Sequence, residues 1–145
     1  MISIIQQKKL NNKKLISRIR RYSDKIMQIL NISNKKVTII FVDLDYISNL
    51  NSLYFHKNYP TNVISFPFEE DNELGEIYIS IDVAAKEAEE WGVTLFFELM
   101  YLIIHGLLHL LGYDHTVSDK DDKIMTEKEI EIIEKAGLKK WKKLE

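Results

Sequence analysis

Three of the four histidines of the chain lie in the short segment 105–115, at His105, His109 and His115. Residues four apart lie on the same face of an α-helix, so the rings of His105 and His109 can point at one centre. Gly112 can take the left-handed conformation that ends a helix and turns the chain back toward that centre, which would bring His115 to the other two rings. The spacing therefore predicts that three imidazoles bind one metal ion.

Three histidines around Zn²⁺ leave one tetrahedral position for water, which is typical of a catalytic site. The ion lowers the pKa of that water from about 15.7 to about 7 and so supplies hydroxide at neutral pH. We predict one Zn²⁺ and a metal-bound water as the catalytic group, with the protein base unidentified. Imidazoles also bind Ni²⁺, Cu²⁺ and Fe²⁺. The alternatives are a structural zinc whose fourth ligand is Asp114 or a distant residue, and core histidines without a metal.

The spacing H-x-x-x-H-x-x-G-x-x-H is also that of metzincin proteases, in which a glutamate after the first histidine is the general base. Gly106 stands at that position here. Without a carboxylate the peptidase mechanism lacks its proton acceptor, which disfavours a protease. Glu98 lies on the histidine stripe but seven residues away, about 10 Å along a helix axis. We expect it to interact with the helix N-terminus instead.

The segment from Thr94 to Leu111 is almost entirely apolar, so we predict a central helix that is buried on nearly all sides and binds the metal. Around it the sequence predicts an α+β fold with about four strands in a mixed sheet and about five helices. Segment 36–42 is continuous and β-branched, as in a central strand. Pro67 limits segment 62–68 to a sheet edge. The predicted strands are 2–6, 36–42, 62–68 and 74–80, the last two forming a hairpin, and the predicted helices are 13–30, 45–54, 82–91, 95–111 and 119–136.

The composition favours one compact domain over residues 1–145, since 46% of the residues are hydrophobic and only two are prolines.

In the last predicted helix, 119–136, we expect Ile124 and Ile130, with Ile132 and Ile133, to pack inward. Because the chain lacks cysteine, it can form neither a disulfide nor a thiolate metal site. No apolar stretch approaches the length of a membrane span, so we expect a cytoplasmic protein without a membrane partner.

The charge is unevenly distributed, because residues 1–40 contain ten lysines and arginines but a single acid, Asp24. Segment 8–21 could present a basic face to nucleic-acid phosphates, and segment 139–143 could add a second basic face with an aromatic ring. A solvated helix face explains the same pattern equally well.

Segments 60–67 and 75–80 and the histidine segment 105–115 together resemble the YbeY family of metal-dependent endoribonucleases involved in ribosomal RNA maturation. The resemblance implies an α+β fold, zinc binding by His105, His109 and His115, and cleavage of single-stranded RNA by a metal-activated water. It also implies a role in ribosome quality control, with RNA precursors and the ribosome or its small subunit as partners.

The chain departs from the family motif at one place. The family has an arginine and a glycine before a lysine, whereas here Phe55 and His56 precede Lys57. Phenylalanine cannot reproduce the bidentate phosphate contact of an arginine. His56 or Lys57 could contact phosphate instead, Phe55 could stack on a base, or cleavage could be reduced. The predicted substrate-binding residues are Phe55, His56, Lys57, Thr61, Asn62 and Ser65.

Two other functions compete with the nuclease. The first is a ribosome-associated assembly factor with weak or no nuclease activity and a largely structural metal, favoured by the missing arginine and the basic N-terminal segment. The second is a small hydrolase of esters or amides, which rests only on the open metal position.

Overall fold

The computed structural model describes residues 1–114 and 118–138. The described strands are β1 (Ile2–Gln6), β2 (Lys36–Val42), β3 (Val63–Pro67) and β4 (Glu73–Ser80). The described helices are α1 (Lys13–Ile29), α2 (Leu44–Phe55), α3 (Ile81–Trp91), α4 (Leu95–Leu110) and α5 (Asp119–Lys135).

The four strands form one mixed sheet in the order β1-β2-β4-β3. β1, β2 and β4 are parallel, and β3 pairs with β4 in antiparallel register. The β-branched run of β2 therefore lies in the middle of the sheet, while Pro67 ends a strand at its edge, as the sequence predicts. The α+β fold with four strands and five helices is confirmed.

The two faces of the sheet pack against different helices. The main core lies between one face and helices α1, α4 and α5, where Ile39, Phe41 and Ile77 meet the apolar side chains of α4. On the other face a smaller cluster joins the sheet to α2 through Ile40 and Ile47. Of the described helices, none is both long and apolar enough to cross a membrane.

Helix α4 begins and ends with the signals expected from its sequence. The Thr94 hydroxyl accepts a hydrogen bond from the Phe97 amide at 3.1 Å and so caps the first turn. At the other end, Gly112 has φ +97°, and the amides of Gly112 and Tyr113 donate to the carbonyls of His109 and Leu108. These two bonds form a Schellman motif, which reverses the chain after the last turn. Most residues between these ends are buried, as predicted.

The prediction for α5 was wrong at two positions, since Ile124 and Ile130 are 43% and 50% exposed. The buried stripe of this helix consists of Met125, Glu129 and Ile132, spaced four and three residues apart. Ile124 and Ile130 lie beside that stripe. The other two isoleucines predicted to pack inward do so, since Ile132 is fully buried and Ile133 packs against the core.

Candidate functional site

His105 and His109 point at one another from successive turns of α4. Their Nε2 atoms are 3.1 Å apart, and the ring planes meet at 75° with 4.6 Å between centroids. Both side chains are partly buried, so they lie at the border between the apolar core and the surface. The structure thus brings together two of the three histidines predicted to bind metal.

The third predicted ligand, His115, lies outside the described residues. Within residues 1–114 and 118–138, no three histidine, aspartate or glutamate side chains gather closely enough to hold a metal ion. The chain reaches Asp114 after the reversal at Gly112, on the path by which His115 was predicted to return. The three-histidine ligand set therefore stays a prediction.

Glu129 of α5 orients the first histidine. Its Oε2 lies 2.9 Å from Nδ1 of His105, and the glutamate side chain is only 6% exposed. An N–H at Nδ1 that donates to this carboxylate leaves Nε2 of His105 with a lone pair toward His109. Sequence reasoning missed Glu129, although a charged residue on the buried stripe of α5 was a signal that could have revealed it.

The donor set fits a zinc ion. Two ligands at about 2.0–2.1 Å with tetrahedral angles are about 3.4 Å apart, close to the 3.1 Å between the two Nε2 atoms. A carboxylate on the far nitrogen of a ligating imidazole is a usual companion of zinc-bound histidine. His105 and His109 could therefore hold the ion, with the Glu129 carboxylate fixing the first ring.

Gly106, the residue after His105, packs against the sheet. A Cβ at this position would be 2.8 Å from Cγ2 of Ile77 and 3.1 Å from Oγ of Ser65. The Ser65 hydroxyl also donates to the Gly106 carbonyl at 3.3 Å. At the position where a protease would carry its glutamate, this chain therefore has a glycine through which α4 packs closely against strands β3 and β4.

A cavity of about 750 Å³ lies beside the histidine pair. It is bounded by the end of α2, the following loop, strand β3 and the end of α4. Five of the six predicted substrate-binding residues line it together with both histidines, and only His56 does not. Its lining consists of Asn51, Phe55, Lys57, Thr61, Asn62, Val63, Ile64, Ser65, Pro67, His105, His109, Gly112, Tyr113 and Asp114.

The loop after α2 is fixed by one buried amide that the sequence analysis did not single out. Asn51 is 4% exposed, and its Nδ2 donates to the Tyr59 carbonyl at 2.8 Å. His56 ends the helix in the left-handed conformation, with φ 56°. This is the position at which the resemblance has glycine, so the chain keeps the conformation with a less suitable residue.

Acidic side chains also lie near the first turn of α4, on the same stripe of the helix as the histidines. Burial, together with the nearby Glu87, raises the pKa of Glu98 from 4.5 to about 7. Burial and the charges of Glu129, Glu98 and Glu87 raise the pKa of Tyr101 to about 12. Glu98 does lie in the first turn of α4, as expected, but desolvation opposes the charge that the helix N-terminus favours.

Sequence comparison places these features in a known family. The family model for "Endoribonuclease YbeY" matches residues 1–137 of the chain. The chain belongs to the YbeY family. The YbeY member of Acholeplasma laidlawii is 46% identical over 108 residues, which cover 73% of this chain and 78% of that protein. The Bacillus cereus YbeY protein is 38% identical over 152 residues, covering 95% and 97% of the two chains. Both relatives are named endoribonuclease YbeY.

A solved structure shares the fold of this YbeY chain. The solution structure of a protein from Thermotoga maritima superposes with a TM-score of 0.69 at 34% sequence identity. The match covers 94% of this chain and 89% of the other. The arrangement of sheet and helices is therefore one that a related chain adopts in solution.

Proposed function

We propose that the chain is a zinc-dependent endoribonuclease that cleaves single-stranded RNA in ribosomal RNA maturation and ribosome quality control. The observation that carries the proposal is the His105–His109 pair, whose Nε2 atoms converge beside an open cavity. Membership of a family named for endoribonuclease activity supports the reaction class. The cleft, rather than the fold, is the basis of the proposal, because one fold can host many activities.

Some side chains at the cavity bind the metal ion in this proposal, and others contact the RNA. A zinc ion bound there supplies Lewis acidity and a water of lowered pKa. His105 and His109, with the predicted His115, hold that ion, and Glu129 keeps the His105 ring in place. Lys57 lines the cavity and supplies a cation for a phosphate.

Two predicted substrate residues have structural roles as well. The Ser65 hydroxyl donates to the Gly106 carbonyl. The Asn62 amide donates to the Glu87 carboxylate at 3.4 Å. Both side chains still line the cavity. However, the Ser65 hydroxyl already joins β3 to α4, and the Asn62 amide already joins the loop before β3 to α3. We therefore assign the closest approach to the RNA backbone to Lys57 and Thr61.

The proposal is tested by cleavage of RNA under single-turnover conditions. Zinc-loaded protein is incubated with a labelled single-stranded RNA and with the same sequence as a duplex, and His109→Ala is measured in parallel. We expect cleavage of the single strand alone, with a loss of at least about 100-fold in the variant. Circular dichroism of both proteins establishes that the variant is folded, and their zinc content reports how much of the ion the substitution removes. Equal cleavage by both proteins would refute the proposal.

One observation favours the assembly-factor alternative. Lys13, Lys14 and Arg21 are exposed on α1, and the Arg18 guanidinium lies 3.8 Å from the centroid of the Phe96 ring. None of these cations forms a salt bridge within the part of the chain that the structure describes. An assembly factor would co-sediment with small ribosomal subunits at low salt, lose that binding when Lys13 and Lys14 are changed to Glu, and cleave RNA weakly or not at all. Efficient cleavage that depends on His109 excludes this alternative.

A further inference from the structure

Two exposed aromatic rings stand at the end of α2, where the helix reaches the cavity. Tyr54 is 56% exposed and Phe55 is 47% exposed. Both rings contact Phe66 of β3. Tyr54 meets it edge-on, with 4.9 Å between centroids, and Phe55 lies nearly parallel to it, with 6.5 Å between centroids and 24° between planes. Phe66 thus supports the two outer rings from the sheet.

Phe55 lines the same cavity as His105 and His109, whereas Tyr54, the preceding residue, lies outside that lining and joins Phe55 through their shared contact with Phe66. An aromatic ring that served only the core would be covered, whereas about half of this side chain remains accessible. Aromatic faces presented beside a cleft are how proteins bind unpaired bases, because every base can stack on a ring regardless of sequence. Lys57, two residues along the chain, adds a cation at the same cavity.

We propose that Phe55 and Tyr54, supported by Phe66, form a base-stacking platform for single-stranded RNA. Unpaired bases stack on the two rings while the RNA phosphate beside them lies in the cavity near Lys57. The inference rests on the proposed nuclease function and adds that the protein recognises its RNA substrate through unpaired bases. A duplex keeps its bases stacked and paired, so only an unpaired base can lie on Phe55. The platform accordingly favours single strands without reading their sequence.

The ring contacts continue from Phe66 to Tyr78 and Tyr46, away from the cavity, but these two tyrosines are less suited to binding RNA. Phe66 contacts Tyr78 edge-on, and Tyr78 lies nearly parallel to Tyr46 with 6.1 Å between centroids. There the Tyr78 hydroxyl donates to the Glu76 carboxylate at 3.2 Å. A carboxylate repels the phosphates of a bound strand. The platform is therefore assigned to the rings at the cavity, where the cation of Lys57 lines the wall together with Phe55 and Asp114.

The test measures RNA binding separately from cleavage. All proteins carry His109→Ala so that the probe stays intact, and fluorescence anisotropy reports the Kd of a labelled single-stranded RNA of about ten nucleotides. We expect Phe55→Ala and Tyr54→Ala each to weaken binding by about tenfold or more, the effect of losing one stacked base. Phe55→Trp should restore binding. Trp91→Ala is the matched control, because Trp91 is 68% exposed but belongs to α3 and not to the pair of rings that contact Phe66.

A second probe isolates stacking from charge. An abasic strand of the same length carries the phosphates without bases, so its affinity should not change on Phe55→Ala but should fall on Lys57→Ala. The platform is overturned if Phe55→Ala binds the intact strand as well as Trp91→Ala does. It is also overturned if the protein dimerises through these rings, seen as a concentration-dependent dimer that Phe55→Ala abolishes while RNA affinity stays unchanged.

The two proposals fail in different ways. If the protein with His109 intact cleaves single-stranded RNA but Phe55→Ala binds like the control, the nuclease stands and the platform is wrong. If binding depends on Phe55 and on unpaired bases while no RNA is cleaved, the platform stands and the nuclease is wrong.

Discussion

The carboxylate of Glu129 lies 2.9 Å from Nδ1 of His105, although 24 residues separate them in the chain. One residue belongs to α4 and the other to α5, so the pair exists only when the two helices pack together. The contact decides which ring nitrogen of His105 carries the proton and directs the other toward His109. Helix packing and the geometry of the proposed metal site are therefore coupled through one hydrogen bond.

Replacing Glu129 by Gln should weaken zinc binding without unfolding the protein. The amide keeps the size of the side chain but removes the charge that makes the imidazole a better ligand, and such partners typically contribute 10- to 100-fold to metal affinity. Competition with a chromophoric chelator measures the zinc Kd directly. Glu127→Gln is the control, because Glu127 is on the same helix but 65% exposed and paired with the exposed Lys123. Equal zinc affinities for the two variants would contradict an orienting role for Glu129.

Adding a methyl group at Gly106 should destabilise the protein although alanine favours helices. The new Cβ would be 2.8 Å from Cγ2 of Ile77, a stiff β-branched side chain in the core. Overpacking of this kind costs about 1–3 kcal/mol, more than the helix-propensity gain of about 1 kcal/mol. Urea denaturation of Gly106→Ala measures the net loss.

The cause of that loss can be isolated with a double-mutant cycle. In an Ile77→Ala background both close contacts with Ile77 are gone and only the 3.1 Å approach to the Ser65 hydroxyl remains, so the cost of Gly106→Ala should be much smaller. An equal loss in both backgrounds would show that the glycine is needed for another reason.

Gly106 illustrates where sequence reasoning was informative and where it was not. The sequence showed that the protease glutamate is missing, because that is a matter of residue type. It could not show that the position faces Ile77 and Ser65, since the strand partner of a helix depends on tertiary packing. The strand and helix boundaries were predicted within one or two residues because caps, Gly112 and apolar periodicity are local signals.

Local sequence signals could not reveal the tertiary contacts that hold the site. Glu129 holds the site through a bond to a residue 24 positions away, and Asn51 through a bond to the loop that follows its helix; neither belongs to a motif. The exposed isoleucines of α5, Ile124 and Ile130, were misassigned because the face of a helix that packs inward depends on the elements around it. Phe55 was identified from its motif position, but its neighbour Tyr54 and the supporting ring of Phe66 became evident only when β3 was placed beside α2.

Replacing His56 by Gly should stabilise the protein. His56 has φ 56°, a left-handed conformation that costs a residue with a Cβ about 1–2 kcal/mol and glycine nothing. Glycine loses more entropy on folding, about 0.5–1 kcal/mol, so the net gain should be up to about 1 kcal/mol. Thermal and urea denaturation measure it. His56→Ala is the control, since it retains the Cβ and should give no such gain; a gain of the same size would attribute the effect to the imidazole.

Glu98 should make the stability of the protein fall between about pH 4.5 and pH 7. Its pKa is raised from 4.5 to about 7 by burial and by Glu87, so in this range the folded protein keeps a proton that the unfolded chain has released. Because the folded state then binds more protons, the free energy of unfolding decreases as the pH rises, and the full penalty is present above pH 7.

Glu98→Gln removes this penalty because the amide cannot ionise. We expect the variant to be more stable than the original protein by about 2–3 kcal/mol at pH 8, with the difference vanishing below pH 4. Urea denaturation across this pH range measures the change, and Glu90→Gln, an exposed position on α3, serves as the control. A stability difference between Glu98→Gln and the original protein that is constant from pH 4 to pH 8 would show that the Glu98 carboxyl titrates as it does in water.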